Sequence, residues 1–512
     1  MKKLIYISLL SLLLLGTQSC NNLLDQEPVS ITHPEVFWVN ESNAEQALAG
    51  AYGLLKNTIM YQSNFLYWGE FTGMTFMDSR SWISNYIEGS GNYVLAYRGE
   101  SINWKGFYRA ANWAVTIEHY VSDMSDDLFS SPEEKKRVIG EAAFIRAVSY
   151  FYIARIWGDA PIVTENIESS DQLITEDGYI VEVPRSPELA VLDHALAATD
   201  KAIENLEYSS PGDSKWAIQA NKASAEALKA HITLWYASRD NDNNEMLQAC
   251  VTAATSVISN GNAQLIDYVN EGKDGYESMC KGQSKTGLFE INISTDVNES
   301  FRLSSGDSYY TGLTLNYPVW KEKNTNTSPY LNPEWYGNEF MAQDEDYAND
   351  VRKELFFYEY DQPDESFVTK YELRSQDPAS EDPYAQFSEA NILIFRLADV
   401  YLLRAEANAK LSKGGLAVSD LNEIRSKAGV SPYMGATDRA SLMKAIFNER
   451  AIEFVAEGQS GFDRIRMDYY YEGVSWMNRD RISKKGYFWP VYPGIISINP
   501  SIVQTEYWRG KV

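Results

Sequence analysis

The stretch SPEEKKRVIGEAAFIRAVSYFYIARIWGDAP, residues 131–161, decides how the rest of the chain is read. Ser131, Pro132, Glu133 and Glu134 combine a capping box with proline at the first helical position, so a helix starts here. Val138, Ile139, Ala142 and Ile145 carry it at helical spacing to about Trp157, and Gly158 and Pro161 close it. The same period runs upstream through Ala47, Leu48, Ala51, Leu54 and Leu55, and again through Phe107, Ala110, Ala111, Ala114, Ile117 and Val121. Downstream, helices are predicted from Ser186-Pro187-Glu188 to about Leu206, from Ala220 to Ala237, and from Met246 to Ile258. Small residues such as Ala223, Ala227, Ala230 and Ala237 let neighbouring helices approach closely, as in tetratricopeptide pairs, although no strict repeat period survives.

From about 262 to 388 the composition turns to Asp, Asn, Gly, Ser, Tyr and Pro, and only a stretch near 287–293 looks strand-like. Helical periodicity returns at 390–412, 416–428 and 440–457, with breaks at Gly414-Gly415, Gly429 and Gly458. The expected fold is therefore predominantly α-helical, with a scaffold of helical hairpins over about 40–260 and 389–470. A long irregular insertion occupies about 262–388, and an extended C-terminal segment about 475–512. No Pro/Gly/Ser-rich linker divides the chain, so the residues alone fit one large or two interleaved units equally, and with the resemblance below residues 20–512 are read as a single unit.

The chain has 512 residues, with 71 acidic against 45 basic side chains and a formal charge of −26. Such a surface repels polyanions, which excludes a generic nucleic-acid binder. Lys2 and Lys3 precede the apolar run Leu4 to Leu15, which ends in Gly16, Thr17, Gln18, Ser19 and Cys20. This is a secretory signal over residues 1–19. Cleavage before Cys20 leaves that cysteine at the new N-terminus, where bacterial lipoproteins carry their acyl chains. The site resembles a lipobox, with Thr17 where Leu is commoner, and the alternative is a plain secreted protein with Cys20 free. No later stretch is long and apolar enough to span a bilayer.

Cys250 and Cys280 are too few for a disulfide framework, and Cys250 sits on an apolar helical face as a small hydrophobe would. His33, His119, His194 and His231 show no zinc spacing. Asp240 to Asn244 begins like a calcium loop, but Glu245 stands where the turn needs Gly and Val251 where the bidentate Glu belongs. The sequence has no GxSxG, GxGxxG, Walker A or HExxH motif. No catalytic residue, metal or cofactor is assigned, although a glycosidase needs only two paired carboxylates and so stays open.

Four segments together resemble the SusD/RagB family of surface nutrient-binding lipoproteins of Bacteroidetes. Cys20 followed by Leu24-Asp25-Gln26-Glu27-Pro28 is similar to the family's start after lipidation. Gly140-Glu141-Ala142-Ala143-Phe144-Ile145-Arg146-Ala147, continuing to Trp157-Gly158-Asp159-Ala160-Pro161, resembles its GEaxFLRA helix. Asn448-Glu449-Arg450 through Glu453-Phe454, Glu457-Gly458 and Phe462-Asp463-Arg464-Ile465-Arg466 resembles its ERRxELaFEG segment, with Gly461 where a bulky residue is expected. Trp489-Pro490-Val491-Tyr492-Pro493, Asn499-Pro500 and Gln504 resemble its C-terminal motif, with Gly494 near the usual acidic position. The resemblance implies a helical fold with tetratricopeptide-like pairs, and an outer-membrane lipid anchor facing the cell exterior. It also implies a partner SusC-like TonB-dependent transporter over which the protein acts as a lid.

The charged residues of these motifs also have a plain reading. Glu141, Arg146, Glu449, Arg450 and Glu453 lie in helices whose other faces are apolar, so they are expected to form buried ion pairs, as are Asp463 and Arg466 at i, i+3 spacing. Sugar recognition needs aromatic faces with nearby carboxylates, amides or Arg on loops. Trp68, Asp78, Arg80, Trp82 and Tyr86 lie in a non-periodic stretch between two helices and form the first choice, with Trp82 foremost. Tyr309, Tyr310, Trp320 and Trp335 in the insertion form a second set, divided between ligand platform and transporter interface. The expected function is binding of an oligosaccharide without cleavage and its delivery to the transporter. Alternatives are an oligopeptide binder of the same family, a surface glycoside hydrolase and a purely structural helical-repeat lipoprotein.

Overall fold

A computed structural model describes residues 34–60, 64–70, 102–167, 181–293, 345–358, 367–371, 390–470 and 477–512, with short pieces at 72, 76–77, 172, 174–175, 330–331, 373–376 and 386–388. The N-terminal half is a run of helices: α1 (Glu41–Met60), α2 (Asn64–Gly69), α3 (Lys105–Asp123), α4 (Pro132–Trp157), α5 (Glu188–Asn205), α6 (Lys222–Arg239) and α7 (Asn244–Asn260). A two-residue strand, β1 (Phe76–Met77), lies between α2 and α3. The local signals act as the sequence requires. The Ser131 hydroxyl accepts from the Glu134 N–H and Pro132 opens α4. Asn221 and Ser224 form a full capping box on α6, and Gly158, at φ 72°, ends α4 in the left-handed region.

Within the stretch predicted to be irregular, α8 (Tyr268–Lys281) forms, bent at Gly272. Its apolar residues are sparse and glycines interrupt them, which hides the period in the sequence. It is followed by β2 (Gly287–Ile291), β3 (Tyr330–Leu331), α9 (Arg352–Phe356), β4 (Phe357–Tyr358), β5 (Phe367–Val368), β6 (Arg374–Gln376), β7 (Gln386–Ser388) and β8 (Ile392–Arg396). Residues 392–396 were expected within a helix. They form β8 instead, antiparallel to β2 with Ile291 opposite Ile392, and every residue of both strands is buried. A short, mostly apolar run reads alike as buried strand or buried helix, and its β-branched and aromatic residues favour the strand. Then come α10 (Leu397–Lys410), α11 (Gly414–Ala428), α12 (Arg439–Glu453) and α13 (Ser460–Arg466), with one-turn helices α14 (Arg479–Ser483) and α15 (Pro493–Ile498) near the C-terminus.

Successive helices pack on one another: α3 on α4, α4 on α5, α5 on α6 and α6 on α7. Across the intervening segment α7 packs on α10, and α10 on α11 and α12. One core runs through this stack, and a smaller cluster around Leu402, Leu421, Ile446 and Phe447 joins α10, α11 and α12. Close packing rests on alanine, as at Ala223, Ala227 and Ala230, all fully buried. Cys250 and Cys280 are free and buried among these helices, and burial pushes both thiols up.

A charged seam crosses the junction of the two halves. Arg396 on β8 bonds Glu453 at 2.6 Å and Glu457 at 2.9 Å. Arg352 bonds Asp350 at 2.9 Å and both Glu449 and Glu453 at 2.7 Å. Arg450 joins Asp399 and Asp463 at 2.7 Å, and Arg466 joins Glu406 and Asp463 at 2.8 Å. Burial alone would raise the Glu453 carboxyl, yet the guanidinium groups of Arg396 and Arg352 hold it down at about 2. These pairs bear out the reading of the motif residues as structural, as do Arg146 with Glu118 at 2.7 Å and Glu141 with Arg137 and the Tyr52 hydroxyl.

Candidate functional site

The segment that carries the first set of expected ligand residues starts from a buried pedestal. All six residues of α2 are buried, and Trp68 is 2% exposed, its ring 5.3 Å from Phe107 and 6.0 Å from Trp157. Trp68 was expected on a ligand-binding loop; it is corrected to a core residue, because its indole fills the angle between α3 and α4. The pedestal is fixed by contacts too close for side chains. A Cβ on Gly69 would lie 1.8 Å from the Gly458 carbonyl oxygen, and one on Gly461 would lie 2.0 Å from the Thr72 hydroxyl. That is why glycine stands at 461, where the related motif has a bulky residue. Glu70 adds a hydrogen bond by accepting from the Gly458 N–H at 3.0 Å.

From this pedestal the chain enters β1, which pairs antiparallel with β3: Phe76 opposite Leu331 and Met77 opposite Tyr330. Asp78 follows Met77 directly in the sequence, and Tyr330-Leu331 lies between Trp320 and Trp335. One small ladder thus joins two stretches far apart in the chain, each a close sequence neighbour of an expected aromatic residue. Asp78, Arg80, Trp82, Tyr86, Tyr309, Tyr310, Trp320 and Trp335 lie outside the described residues, as does Cys20.

Beside the point where the 78–101 segment rejoins the scaffold, α1 and α3 enclose a groove of two adjoining hollows, about 420 and 280 Å³, which share Leu54, Lys105 and Arg109. Tyr108 and Tyr150 line the larger one. Their hydroxyls donate to the carbonyls of Pro161 at 2.6 Å and Val163 at 3.0 Å, which fixes the rings. Asn112 is spent on Ile167 and the Trp113 indole on the Ala47 carbonyl. Hydrogen-bonding capacity toward a ligand therefore rests on Asn57, Asn103, Lys105 and Arg109. Amides and cations next to fixed aromatic rings suit a hydroxyl-rich molecule. Sequence reading missed this groove, since Lys105 and Arg109 at i, i+4 look like the solvated face of an amphipathic helix. The cue that was there is the run of asparagines 57, 64 and 103 flanking the aromatic segment.

Among the described residues, one carboxylate cluster has the spacing of a metal site: Glu41, Glu45 and Glu134. Each of these carboxylates already has a partner in the protein. Arg137 reaches Glu45 and, at 2.8 Å, Glu134, while Ser130 donates its N–H and hydroxyl to Glu41.

Comparison with known proteins places these features in a family. Residues 361–508 match the SusD family model, and residues 23–234 match a model described as starch-binding associating with outer membrane. A SusD-like protein of Formosa agariphila is 26% identical over 98% of both chains. The starch-binding protein SusD of Bacteroides thetaiotaomicron is 33% identical over 87 residues, 17% of this chain and 15% of that one. The crystal structure of a SusD homologue from Bacteroides thetaiotaomicron superposes with a TM-score of 0.76 at 25% identity, covering 92% of this chain and 98% of that one.

Proposed function

We propose, from the premise that this chain belongs to the SusD/RagB family, that it is a cell-surface lipoprotein that binds a nutrient oligosaccharide without cleaving it. It hands the ligand to a SusC-like TonB-dependent transporter in the outer membrane. The observation that supports this reading is the β1–β3 pairing, which sets Met77, next in sequence to Asp78, opposite Tyr330, whose sequence neighbours include Trp320 and Trp335. Aromatic rings such as Trp82 and Trp320 stack on the C–H faces of sugar rings, and Asp78 and Arg80 bond their hydroxyls. The groove on α1 and α3 adds Asn57, Asn103, Lys105 and Arg109 as further groups that bond hydroxyls. A relative named for starch binding, and a family model described in the same terms, support a glycan as the ligand class. Acylation of Cys20 tethers the chain, with the following residues as a spacer.

The test is calorimetric titration of the soluble protein without its lipidated cysteine, residues 21–512, with panels of oligosaccharides and oligopeptides, each mixture being checked afterwards for products. Binding of a glycan that is recovered intact is the expected result. Released products would make the protein a glycoside hydrolase, and binding of peptides alone would replace the ligand class.

A further inference from the structure

The C-terminal segment closes a second cavity, of about 520 Å³, against the end of α4. This is within the roughly 300–1,000 Å³ range of small-molecule sites. Four cationic side chains line it, Arg185, Lys484, Lys485 and Arg509, against two acids, Asp159 and Glu506. In a chain of net charge −26 that local excess of positive charge runs against the whole.

The cations differ in what they are doing. Lys484 bonds Asp480 at 2.7 Å, and Lys485 stands 3.5 Å from Asp159, whose carboxylate also accepts the Glu188 N–H at 3.0 Å. Arg185 gives its donors to the carbonyls of Asp159 at 2.6 Å, Val503 at 2.8 Å and Trp157 at 2.8 Å, and to the Thr505 hydroxyl at 3.3 Å. Those bonds satisfy its hydrogens and supply no negative charge. Among the described residues Arg509 donates only its Nε, to the Gln504 carbonyl at 3.2 Å, and its side chain lines the cavity. Among the described residues no carboxylate lies within 4.0 Å of either guanidinium. Burial lowers the pKa of Arg185, Asp159 opposes that, and the charge of Arg509 adds to it. A guanidinium does not give up its proton at neutral pH, so an anion from outside is attracted by both charges.

We propose that this cavity binds a monosaccharide-sized anion, a ligand bearing a carboxylate, sulfate or phosphate. Arg509 and Lys485 contact the acidic group. Thr505, which accepts from Arg185, gives its own proton to it, and Arg185 supplies positive charge behind them. The site is independent of the oligosaccharide reading, whose probe is neutral and whose residues lie on other segments.

Glucuronate, inorganic sulfate and glucose are titrated into residues 21–512 at constant ionic strength. Saturable glucuronate binding is expected, with sulfate competing for it and glucose leaving it undisturbed. Arg509→Gln and Lys485→Gln each weaken glucuronate about tenfold, the worth of one charge-assisted hydrogen bond. Both side chains are exposed, so the melting temperature stays that of the parent. Absence of glucuronate saturation, or equal affinity in both variants, would overturn the site, and sulfate binding without glucuronate binding would overturn the assigned ligand size.

Discussion

The charged seam at β8 and α12 and the C-terminal cavity both gather arginines, yet they treat the charge in opposite ways. In the seam Arg352, Arg396, Arg450 and Arg466 each bond at least two carboxylates. In the cavity Arg185 and Arg509 have none within reach among the described residues. Glu290 on β2 is a third case. It is a buried acid that accepts from Asn391 at 2.9 Å and the Gln283 N–H at 2.8 Å, and burial pushes its pKa up to about 7. A sealed carboxyl answers missing counter-charge by keeping its proton, whereas an arginine cannot, and needs its counter-charge from the protein or from a ligand. Matched charge marks architecture, and unmatched charge beside open space marks a place for a ligand.

The largest expected effect comes from unmatching the seam. Arg396→Met strands Glu453 and Glu457 without their main partner and lowers unfolding stability by roughly 3–5 kcal/mol in urea titrations. Arg509→Met changes it by less than about 0.5 kcal/mol. Equal losses in the two variants would end the distinction between the regions.

The pH dependence of stability separates the cases further. Glu453, at about 2 folded against an ordinary 4.5, contributes stability that is present above pH 4.5 and lost as pH falls toward 2. Glu290, raised to about 7 from the same 4.5, acts with the opposite sign: it costs nothing below pH 4.5, and stability declines as pH rises from there to 7. Each swing amounts to up to roughly 3 kcal/mol. Denaturation of Glu453→Gln across pH 2–5 should show a flatter acid limb, and Glu290→Gln should lose its decline between pH 4.5 and 7. A parent-like slope in either variant would place that titration elsewhere.

Much of the seam was legible in the sequence because its acids and bases fall on helices of clear apolar period, as with Glu449, Arg450 and Glu453. Their partners were not, since Arg352, Lys370 and Arg396 come from short elements whose placement depends on tertiary contacts. The helix-pair scaffold was readable from caps and periods, while β8 was taken for helix because five consecutive buried residues carry no period. Trp68 shows the limit for the site. A tryptophan in polar, glycine-rich sequence looks like a loop residue, and only the packing of α2 on α3 and α13 shows it to be core. The C-terminal cavity left no motif, since Arg185 and Arg509 meet only through the fold.

The most direct test of the account is the affinity of the best-bound neutral oligosaccharide for the parent chain and for the double variant Trp82→Ala, Trp320→Ala, with melting temperatures measured alongside. Loss of about tenfold or more in affinity at an unchanged melting temperature is the predicted result. Parent-like affinity in the double variant, or no oligosaccharide bound by either chain, would contradict it.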